Sequence, residues 1–345
     1  MRRFLLLSLN LAATTSVLIL LTTSPHLIRG QPGLGRRAMV HQRVMQRRAA
    51  LQQRNKGTNV DAGNSILTLD EAASGTATDK FSAGHFYQRF YESAFALLRK
   101  QPVRLLEIGV RDGSSLKVWT RYFLRYEHIY GLAYGASENY EGHLSTLERV
   151  TVFYGDQSSS ESLDNLVNKS GGSFDLVIDD GSHVPWHILF SFYKLFPAVK
   201  PGGLYVVEDT ETSYWNAPGA SIYGYFLNNT GTGISGNVLE FFGDLTHVIN
   251  GRIQNSPHLM LFSRVEHEIS SIEFADNCIL IRKGFNSFHR HRPYSLAHMV
   301  DVQVVEQWQA EKVAKYRTVF PALVDIEQSH RNYIPFGGDE YNQNK

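Results

Sequence analysis

The chain has 345 residues, 43% of them hydrophobic, and a formal net charge of +1, which is room for one large α/β domain with extensions. The charge is unevenly placed: residues 1–60 hold ten Lys and Arg and no acid, and the remainder carries 24 basic against 33 acidic residues. A mildly acidic body excludes a nucleic-acid domain built on a basic surface, and a lone Cys278 excludes an intrachain disulfide.

The N-terminal run FLLLSLNLAATTSVLILLTTS, residues 4–24, follows Arg2 and Arg3 and is about long enough to cross a bilayer. It is read as an uncleaved signal anchor that ties the protein to a membrane of the secretory pathway. An acid-free, Arg-rich leader also suits a mitochondrial or plastid transit peptide. Residues 25–77, rich in Arg, Gln, Gly, Ser and Ala, read as a flexible basic stem. Asn168 and Asn228 are glycosylation sequons that matter only if the chain enters the lumen.

From FYQRFYESAFALLRK, an amphipathic helix, the chain alternates. VRLLEIGV is a first core strand, HIYGLAYG a second and VTVFYGD a third. LVIDDGSHVPWH opens with a short strand that is apolar on both faces, as parallel buried strands are. Its carboxyl end carries Asp179 and Asp180, then a Gly181–Ser182 turn. Pro185 starts a helix through HILFSFYKLF, with Ser182 or a near neighbour as cap. VKPGG stops it, and LYVVED is a fifth strand ending in Glu208 and Asp209. ISSIEFADNCILIRKG forms an antiparallel edge hairpin. A later helix aligns Val305, Trp308, Val313 and Tyr316 on one face, ahead of the polar tail FGGDEYNQNK. The class is a doubly wound, mostly parallel α/β sheet of seven strands with an antiparallel edge. The expected division is a targeting segment 1–24, a stem 25–77, a catalytic domain 78–285 and a C-terminal helical extension 286–345.

Two neighbouring parallel strands that end in acids point them at one crevice, and burying those carboxylates together is costly unless a cation or another partner compensates. In LLEIGVRDGSS, Glu107 ends the first strand, with Gly109 and Gly113 in the loop before a helix. Neither the dinucleotide fingerprint nor a P-loop is present, which disfavours a nicotinamide-dependent oxidoreductase. An acid with a looser glycine turn better suits a nucleoside bearing an amino-acid tail.

The ordered set TDKFSAGHFY, LEIGVRDGSSLKVW, IYGLAYG, YGDQSSS, IDDGSHVPWH and VVEDTETSYW resembles the class I S-adenosylmethionine-dependent methyltransferases. More narrowly it is similar to the metal-dependent sugar O-methyltransferases of the macrocin and mycinamicin type and their cephalosporin-cluster relatives. The resemblance spans roughly residues 78–285. It implies that Glu107, Gly109 and Gly113 line the S-adenosylmethionine loop, that Asp156 and Gln157 lie near the adenine, and that His85 and Tyr87 help close the cofactor site. It also implies Asp180, Glu208 and Asp209 as Mg²⁺ ligands and His183 as general base.

Elementary chemistry agrees: three carboxylates make a hard oxygen site, and His183 on the same turn can take a proton released by a chelated hydroxyl. Asp179 is assigned to the turn, His187 to packing with a reserve role as base, and Tyr214 and Trp215 to either a sugar wall or the core. The basic, aromatic RKGFNSFHRHRPYS is read as a solvated stretch rather than a nucleic-acid site. One position departs from the pattern: the relatives' ribose-binding acid is replaced by Ala133 and Tyr134, with Glu138 as a substitute. The expected activity is methyl transfer to a sugar or polyol hydroxyl of a small molecule or glycan, with homo-oligomerisation left open. The alternative is a methyltransferase-fold binding protein that has lost catalysis.

Overall fold

Five parallel strands alternate with helices, as the apolar runs predict, and the antiparallel hairpin closes one edge. The computed structural model describes residues 66–135, 144, 146–227, 232–233, 235–251, 259–284, 301–331 and 333. They all fall in the unit Ile66–Lys345. The 4–24 run, the stem up to residue 65, Glu138, Asn228, most of RKGFNSFHRHRPYS and the polar tail lie outside the described residues. Among the described residues no helix is long and apolar enough to cross a membrane.

Strands β1 (Arg104–Ile108), β2 (His128–Ala133), β3 (Val150–Tyr154), β4 (Phe174–Asp179) and β5 (Val199–Glu208) are parallel. β8 (Ile269–Ala275) and β9 (Cys278–Lys283) add the antiparallel edge, giving the order β3-β2-β1-β4-β5-β9-β8. A separate two-stranded ribbon pairs β6 (Ser221–Ile222) with β7 (Tyr225–Phe226). The order reverses between β1 and β4, and ligands of open α/β sheets bind at the carboxyl ends of the strands flanking such a point. Register puts Asp179 beside Ile108 on one side and Val207 on the other, so the acidic ends are level.

Each face of the sheet has its own core. Helices α1 (Leu69–Ala72), α2 (Gln88–Ala94) and α3 (Ser114–Tyr122) cover Leu105, Leu176, Ile178, Leu204 and Val206. Helices α4 (Ser160–Ser170), α5 (Pro185–Leu195), α6 (Val238–Gly251), α7 (Val302–Val319) and α8 (Leu323–Ser329) cover Leu106, Val177, Tyr205 and Val207. The parity of each strand therefore decides which helical layer a side chain meets.

Four expectations change. Residues 66–77, expected in the stem, include a helix packed on the body. Thr68 caps α1 in a reciprocal capping box with Glu71, and Leu69 and Ala72 are fully buried. A buried Leu contributes roughly 2 kcal/mol and a good cap about 1 kcal/mol, enough to hold this segment on the core. The C-terminal helices are also part of the body: Tyr316, Phe320, Leu323 and Ile326 are buried, with Val305, Trp308 and Val313 packed beside them. The VKPGG segment does not separate helix from strand. A short 3-10 turn, Phe196–Ala198, ends α5, and Val199 already pairs with Phe174 before a bulge. Finally, the residue preceding α5 is Val184, which offers no side-chain cap; Pro185 occupies the first turn instead.

Candidate active site

The period of two along a strand sorts the acids. On β4, Asp179 points to the α5 side and is buried. Its carboxylate accepts from Gln157 Nε2 at 2.7 and 2.9 Å, from Ser191 Oγ at 2.5 Å and from Tyr205 OH at 3.1 Å. Burial pushes its pKa up to about 6 despite these donors. Asp179 thus belongs to a structural network, in keeping with its exclusion from the metal set. Asp180, one residue on, leaves the strand and faces the crevice.

Glu208, the last residue of β5, points to the opposite layer and is buried between α2 and the preceding loop. Tyr91 OH donates to its Oε1 at 2.7 Å and Lys80 Nζ to its Oε2 at 2.7 Å. Both oxygens are engaged, and Glu208 stands apart from the cluster of Asp180, His183 and Asp209; burial raises its pKa, opposed by Lys80. Asp209 follows in the left-handed conformation, φ 53°, which swings its side chain off the strand line into the crevice. His183 has φ 56° in the same region. Left-handed non-glycine residues cost about 1 kcal/mol each and are retained where the surroundings fix them. Here Thr212 Oγ1 donates to the His183 carbonyl at 2.7 Å, locking the two turns together.

The result is a trio. Asp180, His183 and Asp209 each offer a ligand atom, all within 4.8 Å of one another. His183 Nε2 lies 3.5 Å from Asp209 Oδ2 and 3.9 Å from Asp180 Oδ1. Asp209 Oδ1 is held from behind by Tyr87 OH at 2.5 Å, Asn277 Nδ2 at 3.2 Å and His85 Nδ1 at 3.3 Å. His85 and Tyr87 therefore position an acid of this trio. Two partly exposed carboxylates with inward oxygens suit a hard, hydrated divalent cation, so Asp180 and Asp209 fit a metal and Glu208 as placed does not.

On the β1 side, Glu107 is fully buried. Ser115 Oγ at 2.7 Å and Trp119 Nε1 at 3.0 Å donate to its Oε2, while Oε1 has no hydrogen-bond partner and an ammonium, that of Lys80, 3.2 Å away. An under-satisfied buried carboxylate at the switch point is compatible with a cationic ligand group. Gly109, φ 94°, is required by packing: a Cβ there would lie 1.8 Å from the Asp180 carbonyl oxygen. Gly113, φ 75°, precedes α3 directly, and a Cβ would press on Leu144. Asp156 Oδ1 accepts from Ser158 N and Oγ at 2.7 Å. Gln157 is buried, with Nε2 on Asp179 and Oε1 accepting from Ser182 N at 2.8 Å, so its side chain braces the DDGSH turn. Ala133 is buried in the sheet, and Tyr134 is exposed.

Two side chains escaped the sequence reading. Lys80 sits inside TDKFSAGHFY without periodicity or a motif to single it out. Tyr223, φ 48°, is 74% exposed at the tip of the β6–β7 ribbon, its ring centroid 6.2 Å from that of His183. Tyr214 and Trp215 are exposed rather than core.

His187 is buried beneath the trio, Nδ1 against Ser182 Oγ at 2.7 Å and its ring edge-on to Tyr225. Burial pulls its pKa down to about 4. A histidine held neutral by folding contributes stability that is complete above its unfolded value near 6.5 and is lost as pH falls toward 4. Between pH 7 and 5 this loss is about 2 kcal/mol. Asp179 acts in the opposite sense below pH 6, so a variant comparison is required. Urea denaturation of wild type and His187→Gln at both pH values should show the wild type losing about 2 kcal/mol more on acidification. Equal losses would mean that His187 is protonated in the folded state.

No family model matches the chain. It is 36% identical over 198 residues to mycinamicin VI 2''-O-methyltransferase of Micromonospora griseorubida, covering 55% of this chain and 48% of that protein. It is 40% identical over 154 residues to demethylmacrocin O-methyltransferase of Streptomyces fradiae, covering 43% and 37%. It is 34% identical over 239 residues to 8-demethyl-8-alpha-L-rhamnosyl tetracenomycin-C 2'-O-methyltransferase of Streptomyces olivaceus, covering 66% and 57%. Among solved structures it is similar to the MycE methyltransferase of the mycinamycin biosynthetic pathway in complex with Mg and SAH, with TM-score 0.54 and 33% identity over 67% of this chain and 59% of that one. The chain thus spans about half the length of these curated relatives. The fold is that of a class I methyltransferase.

Proposed function

We propose that this chain, with its class I methyltransferase fold, is a Mg²⁺- and S-adenosylmethionine-dependent O-methyltransferase acting on a sugar or polyol hydroxyl. The observation that carries the reading is the trio Asp180, His183 and Asp209 at the carboxyl ends of β4 and β5, a base flanked by two carboxylates. The names of the relatives, sugar O-methyltransferases, and the Mg and SAH bound to MycE support it.

S-adenosylmethionine would supply the methyl group from the Glu107 side of the crevice. Asp180 and Asp209 would hold Mg²⁺, whose chemistry there would be to acidify an acceptor hydroxyl. His183 then takes the hydroxyl proton on Nε2, and the neighbouring Asp209 and Asp180 stabilise the imidazolium that results. Tyr87 and His85 keep Asp209 aimed at the imidazole. Most of the rate comes from positioning, since direct displacement at a sulfonium methyl needs aligned reactants more than covalent help.

Isotope-labelled S-adenosylmethionine, offered with a panel of deoxysugar and hexose glycosides, should give labelled methyl ether. EDTA should abolish the product and added Mg²⁺ restore it. Product formation undiminished in EDTA would reject the metal. A second reading, a binding protein without catalysis, is favoured by the buried Ala133 where the relatives' ribose acid is expected. Titration calorimetry that shows no heat with S-adenosylmethionine would select it.

A further inference from the structure

Lys80 is the cation that the fold brings to the cluster of acids. It lies on the loop between α1 and α2, its side chain 3% exposed. Its Nζ is 2.7 Å from Glu208 Oε2 and 3.2 Å from Glu107 Oε1, and it donates to Asp180 Oδ2 at closer range still. One ammonium thus joins the carboxyl ends of β1, β4 and β5, and connects the cofactor side of the crevice to the metal side. Arginine would be too large for such a compact three-way site, and a neutral residue would leave three carboxylates facing one another.

We propose that Lys80 is a positioning residue that competes with the divalent cation for Asp180. The proposal rests on the metal reading of Asp180 and Asp209. Its physical content is simple. A cation seated on Asp180 Oδ2 repels a second cation arriving at Asp180 Oδ1, and each Coulomb term is strong in a site this little exposed. The fixed ammonium keeps the acids folded and aligned before metal or cofactor arrives. In return it makes the metal bind weakly, with Asp180 shared.

The test is Mg²⁺ titration calorimetry on the cofactor-free protein, with near-UV circular dichroism to confirm folding. Lys80→Met should bind Mg²⁺ roughly tenfold or more tighter than wild type, because the competitor is gone. If Lys80→Met does not fold, the double variant Lys80→Met/Glu208→Gln, which restores the charge balance, decides the matter. It should still bind Mg²⁺ tighter than wild type, through the freed Asp180. Affinity equal to or below that of wild type in the folded variant overturns the proposal, since a purely structural lysine would leave metal affinity unchanged or lower it. Asp180→Asn separates the two levels. If it binds Mg²⁺ as tightly as wild type, the metal reading itself has failed. If it loses Mg²⁺ while Lys80→Met gains none, only the role of Lys80 is rejected.

Discussion

Replacing His183 is expected to lower turnover by roughly two to four orders of magnitude, the usual consequence of losing a general base. Affinity for S-adenosylmethionine should hardly move, because the imidazole faces Asp180 and Asp209 and not Glu107. The choice of substitute matters. His183 has φ 56°, so alanine adds a backbone penalty of about 1 kcal/mol to the loss of the ring. Asparagine adopts the left-handed region readily, which makes His183→Asn the cleaner variant. Single-turnover methyl transfer to a glycoside acceptor, measured for both variants, is the check. Both should be slow, with the alanine variant also less stable. Turnover within about threefold of wild type for His183→Asn would remove the histidine from the chemistry.

The second large effect separates two acids that look equivalent in the sequence. Glu208→Ala should cost about 3–5 kcal/mol of folding stability, because it leaves the Tyr91 hydroxyl and the Lys80 ammonium buried with fewer acceptors. Asp180→Ala should cost much less, since Lys80 keeps Glu208 and Glu107 and the Asp180 side chain is partly exposed. Activity should vanish in Asp180→Ala while its urea midpoint stays near that of wild type. Equal midpoints for the two variants would show that Glu208 is a crevice residue like Asp180, and would return it to the metal set.

The sequence by itself determined the order and polarity of the elements. Apolar runs bounded by turns dictate five parallel strands and an antiparallel edge, and the strand ends in Glu107, Asp180, Glu208 and Asp209 were legible as one acidic rim. The resemblance named His183 and the cofactor class from contiguous blocks. Only the tertiary structure decided which acid faces what. Strand parity separates Asp179 from Asp180 and Glu208 from Asp209. His183 and Asp209 are placed by left-handed turns that follow the strand ends, and no periodicity announces those. The roles of Lys80, Tyr87 and Gln157 were equally hidden. Lys80 is 100 residues from Asp180 and 128 from Glu208 in the chain, so its neutralising position exists only once the loop before α2 closes over the sheet. Local patterns follow from short-range sterics and burial, which a sequence displays. Charge compensation in the crevice is a long-range property, fixed by where the fold brings distant side chains together.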